Sequence, residues 1–235
     1  MEKDSALTSR AARGPQPAYS RDQIAEAAVK IADAEGIDAV SMRRVAAAIG
    51  TRATSLYRYL RAKEELLDLM VDRATGETRL PARSGVWRPD LRAIAHHLRD
   101  VVKRHPWLTA IPVFRPALGP NSLALTEATL EALDGHGLDA DGMMAIAAVL
   151  TTFARGYAAE EIAEQQAEAR SGLGREDWMA SQAQHVGMIC ESGAYPLFRR
   201  IVVEARTPHD PDRVERGFEQ GLECLLDGIA ARLSS

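Results

Sequence analysis

Basic side chains are concentrated in one short stretch of the sequence. Six of them lie between Ala39 and Lys63, with no acidic residue among them: Arg43, Arg44, Arg52, Arg58, Arg61 and Lys63. By contrast, residues 71–235 carry 18 basic and 23 acidic side chains, and the whole chain has a formal net charge of −4. Such a stretch can neutralise phosphates at one place on the molecule. We therefore expect a localised nucleic-acid-binding surface and not a protein coated with basic residues.

Two short helices between residues 41 and 60 would position these side chains. Ala46 is small enough for a close helix crossing, and Gly50 tolerates the left-handed backbone that a tight turn requires. Apolar anchors recur at helical spacing: Val45, Ile49, Leu56 and Leu60. The second helix, predicted over 53–59, keeps a polar outer face that fits the major groove of B-DNA. Taken alone, the spacing is also compatible with a plain helical hairpin whose charges are solvated.

The stretch from Arg21 to Asp72 resembles the N-terminal domain of the TetR family of repressors. Between Gly36 and Tyr59 it matches the family pattern G-x-x-x-x-[ST]-x-R-x-[VL]-A-x-x-x-G-x-x-x-x-[ST]-L-Y-x-[YH]. The match continues into Lys63, Glu64 and Leu66. The resemblance implies a helix-turn-helix that binds double-stranded DNA, with the helix after Gly50 as the recognition helix.

The resemblance also implies a role for each matching position. Two residues, Arg43 and Thr51, would approach phosphates or the edge of the groove. Two others match the positions at which the family contacts the DNA backbone: Tyr57 and Lys63. Residues that would read bases or face the same groove are Arg52, Ala53, Thr54, Ser55, Arg58 and Tyr59. Among them, Arg52 is the best candidate for a bidentate contact to guanine.

Helical periodicity runs along the chain, so the sequence predicts an all-α fold. Residues 1–19 are expected to form a flexible arm, in which Arg10 and Arg13 either enter the minor groove or stay unbound. A helix-turn-helix domain is predicted over 20–80, capped by Ser20 and with its first helix ending at Gly36. A helical ligand-binding and dimerisation domain is predicted over 81–235, with helices at 89–105, 107–112, 121–135, 139–170, 175–192, 196–205 and 211–233.

The second domain resembles the C-terminal domain of tetracycline-type repressors. The matching features are His105-Pro106, Leu118-Gly119-Pro120, Gly137-Leu138, Gly156 and the closing Phe218…Gly221-Leu222…Leu226-Asp227-Gly228. This resemblance implies a ligand cavity between the central helices, partly closed by the partner subunit. Ala117 stands where those repressors carry the histidine that holds the metal of a metal–drug chelate. We therefore expect a metal-free effector, apolar or aromatic.

Aromatic, methionine and polar residues in this domain are candidates for lining the cavity. They are Trp107, Phe114, Asn121, Met144, Phe153, Tyr157, Glu160 and Met188. The alternative for each is ordinary core packing, because aromatic and Met residues at helical spacing usually fill cores.

A dimer is expected, because one helix-turn-helix reads few bases and a two-fold partner doubles the site. The last helix carries an apolar stripe and a stripe of small residues, and its three interior glycines cost about 3 kcal/mol relative to alanine. The expected contacts are Gly217, Phe218, Gly221, Cys224, Leu225 and Gly228. With the long helix at 139–170 they would form a four-helix bundle; alternatively, both faces pack within one subunit.

Neither an enzyme nor a membrane protein is expected. The sequence lacks G-x-S-x-G, G-x-G-x-x-G, G-x-x-x-x-G-K and C-x-x-C, and adjacent His96 and His97 point about 100° apart on a helix, so they cannot share a metal. No cofactor is expected. The sequence favours a cytoplasmic location for three reasons. Two cysteines offer no disulfide framework, the first residues are polar and lack the apolar core of a signal peptide, and the longest apolar run has eight residues, too few for a membrane span. Two alternatives stay open: an architectural DNA-binding protein, and a helical enzyme with a look-alike hairpin.

Overall fold

The computed structural model describes residues 19–112, 118–205 and 212–233, and these contain helices and connecting turns without a strand. The all-α prediction is therefore confirmed. Helices α1 to α4 are Arg21–Glu35, Met42–Ala48, Ala53–Leu56 and Lys63–Thr75. Helices α5 to α7 are Trp87–Arg104, Pro120–Leu133 and Ala140–Ser171. Helices α8 to α10 are Arg175–Glu191, Pro196–Glu204 and Arg213–Leu233, and two 3₁₀-helices lie at Ile37–Ala39 and Pro106–Ala110.

Local signals in the sequence explain where α1 begins and ends. The Gln23 amide donates to Ser20 Oγ at 3.0 Å, and the Ser20 amide donates to Gln23 Oε1 at 2.9 Å. This reciprocal pair is a capping box, which satisfies two amides that the helix itself cannot bond. Gly36, with a φ of 86°, follows the last residue of the helix. The predicted boundaries of this helix are confirmed.

The helix α3 is shorter than predicted. It ends at Leu56 and not at Tyr59, because the following chain bonds mainly three residues back. The Arg58 amide donates to the Ser55 carbonyl at 3.3 Å, and the Tyr59 amide donates to the Leu56 carbonyl at 2.8 Å. Bonds of this spacing make a tighter coil than the α-helix. Residues 57–59 therefore continue the recognition segment as turns.

Two groups of buried apolar side chains form the interior. The first joins α1 to α4 and also includes Val102, Trp107 and Ala158 from α5, the second 3₁₀-helix and α7. The second joins α5, α6, α7 and α10 around residues such as Leu150 and Phe218. We call α1–α4 the N-terminal unit and residues 81–233 the body. Because the first apolar group includes residues of both, the N-terminal unit is packed against the body and not merely tethered to it.

Helix α7 is the central helix of the body. Its buried apolar residues recur at four-residue intervals: Ile146, Leu150, Ala154, Ala158 and Ile162. It packs against α5, α6 and α10. In the described part of the chain it is the one helix long and apolar enough to cross a membrane by length and composition. Of its apolar window 28% is buried inside the single chain, and exposed residues such as Met144 and Val149 contribute to the hydropathy as well.

Helices α8 and α9 bury none of their residues. Along α9, Leu197 and Ile201 are exposed on one side, and Phe198 and Val202 are exposed beside them. Apolar side chains four residues apart on a helix form a continuous stripe. In the single chain this stripe has no cover among the described residues.

The packing of Phe218 gives a first prediction. This side chain is fully buried, and its ring centroid lies 5.4 Å from that of Phe153 and 5.5 Å from that of Tyr157. We expect Phe218→Ala to lower the free energy of unfolding by about 3–5 kcal/mol, because it removes these contacts and leaves a cavity. Urea unfolding at fixed protein concentration measures the change.

Leu123→Ala is the matched control for Phe218→Ala. Leu123 is an apolar residue of α6 that is 49% exposed, so its truncation should change the free energy of unfolding by less than about 0.5 kcal/mol. Equal losses in the two variants would contradict the packing described for Phe218.

Candidate DNA-binding surface and ligand-binding body

The helix-turn-helix is built by α2 and α3 and the turn between them. Val45 and Leu56 are fully buried, and they fix the two helices against α1 and α4. Gly50 has a φ of 73°, the left-handed conformation that the sequence predicted for this turn. The Thr51 amide donates to the Ala46 carbonyl at 2.8 Å and closes the turn. Backbone bonds and apolar contacts together therefore set the angle at which α3 leaves the turn.

None of the predicted DNA-binding residues is buried, although Ala53 and Tyr59 also pack against the first apolar group. Exposed side chains are Arg43, Arg52, Thr54, Tyr57, Arg58 and Lys63. Partly exposed side chains are Thr51, Ala53, Ser55 and Tyr59. Arg52 is the residue that precedes α3, with an extended backbone. Its side chain therefore stands at the N-terminal end of the recognition helix.

The basic side chains of this surface differ in their partners. Arg44 forms an ion pair with Glu35 of α1, so part of its charge is already balanced. Within residues 19–112, 118–205 and 212–233 no ion pair involves Arg43, Arg52 or Lys63. Unpaired basic groups at a surface are available to phosphates.

Glu65 fixes the N-terminal end of α4, where Lys63 lies. Its carboxylate accepts the Arg61 amide at 2.7 Å and the Arg21 guanidinium at 2.6 Å. The hydrogen bond from the Arg61 backbone, with that from Arg21, lowers the pKa of Glu65. The ionised carboxylate thereby ties the start of α4 to α1. Sequence reasoning did not find this contact, because it joins residues 44 positions apart.

A cavity of about 530 Å³ opens between α7, the start of α8 and α10. Of the predicted ligand residues, Tyr157 and Glu160 line it. The Tyr157 hydroxyl donates to the Gly217 carbonyl at 2.8 Å. Trp178, which the sequence analysis did not single out, adds an aromatic wall. A cavity with an aromatic wall and a few polar groups can hold an organic molecule.

Glu164 supplies a negative charge to the same cavity. Burial opposes its ionisation, but hydrogen bonds from Arg213 and Arg175 outweigh it and lower the pKa of this carboxyl group. The ion pair with Arg213 joins α7 to α10, and the ion pair with Arg175, at 3.2 Å, joins α7 to α8. Glu164 thus holds the three helices of the cavity together.

Several predicted ligand residues lie elsewhere, and we correct their assignment. Trp107 is 4% exposed and belongs to the apolar group shared with the N-terminal unit. Asn121 bonds Asp72 of α4. Phe153 is partly buried and its ring packs against those of both Tyr157 and Phe218. Their residue types suggested a ligand, but packing and hydrogen bonds within the chain account for them.

The remaining candidates are not at the cavity either. Met144 and Met188 are each 53–55% exposed and do not line it. Phe114 and Ala117 lie outside the described residues, so the effector assignment of Phe114 and the inference from Ala117 stay predictions.

The predicted dimer residues divide into two sets. Phe218 is fully buried in its own subunit, so its assignment to the dimer interface is wrong. Leu225 packs against the same apolar group. A Cβ atom on Gly221 would lie 2.9 Å from Phe153 Cε2, and one on Gly217 would lie 3.5 Å from the Tyr157 hydroxyl. The close approach at these two glycines is therefore within one chain.

Two of the predicted dimer residues remain on the surface. Cys224 and Gly228 are exposed, and nothing lies within 4 Å of a Cβ placed on Gly228. At about 100° per residue they lie on a face of α10 roughly 80–120° around the helix from Phe218, beside the buried stripe.

His96, Glu215 and Glu219 lie close enough to one another to hold a metal ion, an arrangement that sequence reasoning missed. Glu219 already pairs with Arg92 at 2.6 Å, and Glu215 with Arg99 at 2.7 Å. Because these guanidinium groups balance both carboxylates, a cation gains little there. We interpret the cluster as part of an ion-pair network between α5 and α10.

Asp72 is the main polar contact between α4 and the body. Its carboxylate accepts the Ser122 amide at 2.8 Å and the Asn121 side-chain amide at 3.1 Å. The last turn of α4 therefore caps the first turn of α6. A Cβ on Gly119 would lie 2.1 Å from Asp72 Cγ, so glycine is required where α6 meets this carboxylate.

This arrangement defines a helix-turn-helix DNA-binding regulator with a helical body. Residues 24–70 match the model of the bacterial regulatory proteins of the tetR family, and residues 80–233 match that of the tetracyclin repressor-like C-terminal domain. The chain belongs to the TetR family, which confirms the resemblance drawn from the sequence.

Named relatives and a solved structure agree with this assignment. The chain is 37% identical over 222 residues to the HTH-type transcriptional repressor DrrR1 of Streptomyces coeruleorubidus, covering 94% of this chain and 80% of that one. It is 34% identical to an HTH-type transcriptional regulator of Saccharopolyspora erythraea, covering 92% and 86%. The structure of ActR from Streptomyces coelicolor in complex with actinorhodin is similar, with a TM-score of 0.72, 32% identity and coverage of 91% and 96%.

The Asp72 contact gives a second prediction. We expect Asp72→Ala to lower the free energy of unfolding by about 1–3 kcal/mol, because the Ser122 amide and the Asn121 side chain lose their acceptor at a part-buried site. Asp68→Ala is the control, since Asp68 lies one turn earlier on α4 and accepts no hydrogen bond from the described residues. Chemical unfolding measures the free energy of unfolding of both variants. Similar losses of this free energy would contradict the role given to the Asp72 contacts, because any acidic residue at this end of α4 would then have the same effect.

Proposed function

We propose that this protein is a dimeric, cytoplasmic transcriptional repressor that binds a palindromic operator and is released from it by a small molecule. One combination of features supports the proposal. The recognition helix is exposed and flanked by unpaired basic side chains, and the body contains a separate cavity. The relatives that are named repressors, and the ligand-bound ActR structure, support this reading.

In this proposal the exposed basic residues divide into two roles. Arg52 reads guanine, because its guanidinium stands at the start of α3 and can donate two hydrogen bonds to O6 and N7. Thr54 and Ser55 complete the base-reading face, with Ala53, Arg58 and Tyr59 around them. Arg43 and Lys63 bind phosphates from the two sides of α3, together with Thr51 and Tyr57.

The dimer in this proposal uses the faces of α7 and α10 that the single chain leaves open. Along α7 the exposed small or apolar residues follow one stripe: Ala145, Val149, Thr152 and Gly156. Along α10, Cys224, Gly228 and Ala231 form a similar stripe. Small residues allow two helices to approach closely, so the four stripes of two subunits can form a bundle. The exposed apolar stripe of α9 gives a partner chain further surface to cover.

The effector in this proposal binds the cavity lined by Tyr157, Glu160 and Trp178. It is apolar or aromatic with few polar groups, as the lining favours. Its binding would change the setting of α7 and α6, and α6 is bonded to α4 through Asp72. A shift of α4 moves the recognition helices relative to each other, which changes the fit to both half-sites.

Selection of duplexes from a random pool with the full-length protein tests the function. The proposal expects enrichment of a palindrome whose half-sites are separated by whole helical turns. The selected duplex should bind far more tightly than a random duplex at about 0.15 M salt, and an aromatic compound from a screen should release it. Equal binding to both duplexes would favour the architectural alternative.

Substitutions of the basic residues give a third prediction. We expect Arg52→Ala to remove about 1–3 kcal/mol of discrimination at one base pair of each half-site. Arg43→Ala and Lys63→Ala should instead weaken binding to all duplexes alike, and each should reduce the salt slope of the dimer by about two, that is, about one for each subunit. Titrations of the selected duplex and its single-base variants measure both effects. Arg170→Ala, an exposed basic residue at the end of α7, is the control. Unchanged base preference in Arg52→Ala would refute its reading role.

The open stripe on α10 gives a fourth prediction. We expect Gly228→Arg to shift the protein from a particle of twice the 25.6 kDa chain mass to a single chain, because a long charged side chain prevents close approach of the helices. Analytical ultracentrifugation measures the mass. Ala124→Arg on the exposed side of α6 is the control and should leave the dimer intact. A dimer that survives Gly228→Arg would place the interface elsewhere.

A further inference from the structure

A buried histidine joins three parts of the chain at the contact between the N-terminal unit and the body. His105 is 2% exposed and follows α5. Its Nδ1 atom lies 2.8 Å from Asp33 Oδ1 of α1, and its Nε2 atom lies 3.1 Å from Glu77 Oε2, just after α4. A side chain of the body thus bridges the first helix of the N-terminal unit and the segment that leaves its last helix.

Trp107 restricts how these contacts can be made. Its Nε1–H donates to the same Asp33 Oδ1 atom, at 2.8 Å. An ionised carboxylate accepts hydrogen bonds and cannot donate them, so Nδ1 of His105 must carry a proton to bond Asp33. By the same argument, Nε2 must carry a proton to bond Glu77. While both carboxylates are ionised, both bonds exist together only when the imidazole ring is doubly protonated.

We propose that doubly protonated His105 fastens the N-terminal unit to the body, and that operator affinity therefore depends on the second proton of this ring. The effect of this proton on operator affinity rests on the proposed function, whereas the attachment of the N-terminal unit to the body by His105 does not. His105 acts through the position of the helix-turn-helix and touches no DNA, so it is a positioning residue.

The groups that face the ring come from every element packed against it. α1 contributes Asp33, the segment after α4 contributes Glu77, and the 3₁₀-helix contributes the uncharged ring of Trp107, at 5.9 Å between centroids. The amide of His105 donates to the Val101 carbonyl of α5. Among the described residues no other charged side chain is in ion-pair contact with this ring. The ring therefore lies between two carboxylates, and Arg155 of α7 donates to the Leu108 and Ile111 carbonyls at the far end of the same 3₁₀-helix.

Loss of the second proton leaves one ring nitrogen with a lone pair opposite a carboxylate. One of the two bridges is then replaced by repulsion, and α1 is held less firmly on the body. Because α1 supports the helix-turn-helix, the spacing of the two recognition helices becomes less well fixed. DNA must then order this spacing on binding, which lowers affinity. We expect the operator Kd to rise by about fivefold as the ring deprotonates, a change of the size expected for one charge-assisted hydrogen bond shared with other contacts.

The first arm of the experiment uses the full-length protein without DNA. The ring signals of histidine are followed by NMR between pH 5.5 and 8.5, and His105 is assigned from the spectrum of His105→Gln. Hydrogen exchange of the backbone amides of α1 is measured over the same range and divided by the intrinsic exchange rate at each pH, because the intrinsic rate itself rises with pH. We expect the resulting protection factors near Asp33 to fall in step with the titration of His105. Exchange that does not follow this titration would overturn the proposal, whatever the protein does with DNA.

The second arm measures operator affinity over the same pH range, with the duplex obtained by selection. For each protein the operator Kd at high pH is divided by the Kd at low pH. This ratio should be about fivefold larger for the unsubstituted protein than for His105→Gln. His136→Gln is the matched control, because His136 is exposed in the turn between α6 and α7 and should behave as the unsubstituted protein. If His105→Gln does not fold, Glu77→Gln is used instead, because it removes one of the two negative partners of the ring. This variant should also reduce the change of operator Kd with pH. Parallel profiles in all variants would overturn the link to DNA binding.

Discussion

The orientation of a four-residue recognition helix is the constraint on which the rest of this structure depends. A helix as short as α3 is not stable by itself in water, because nucleation is unfavourable and few bonds compensate for it. Its direction is therefore set by the side chains that it buries, above all Leu56. Leu56 lies in the apolar group that also includes Trp107 and Ala158 of the body, and the N-terminal unit contacts the body through α1 and α4, so α3 is connected to the body indirectly.

Polar contacts add direction to this apolar interface, because hydrophobic contact alone does not define one geometry. Asp72 caps α6, and Asp33 accepts bonds from two groups of the body. Asp72 is 7% exposed, so displacing the interface would leave a buried carboxylate without its partners, whereas the more exposed Asp33 mainly adds direction. The two contacts lie on different helices of the N-terminal unit, and together they resist rotation about either one.

Much of the fold, including the helix-turn-helix, could be predicted from the sequence, because short-range signals determine it. Ser20, Gly36 and Gly50 act within a few residues of their own positions, and so do the anchors Val45 and Leu56. The ligand and dimer residues were harder, because a helical stripe shows that a face is buried but not which chain buries it. Phe218 was assigned to a partner and is covered by its own subunit. The hydrogen bond between Asp72 and Ser122 joins residues 50 positions apart, and neither residue type predicts it.

The charge distribution explains why such a small surface can still select DNA. The body carries more acidic than basic residues, so it is repelled by phosphates, and only the end that carries α3 is attracted. Few phosphate contacts then keep non-specific affinity low, which leaves a larger share of binding to base contacts. One recognition helix provides too few of these for a specific site. In the dimer proposed above, a second copy bound at the faces of α7 and α10 that remain open on a single chain doubles the base contacts, while the acidic bodies stay away from the duplex.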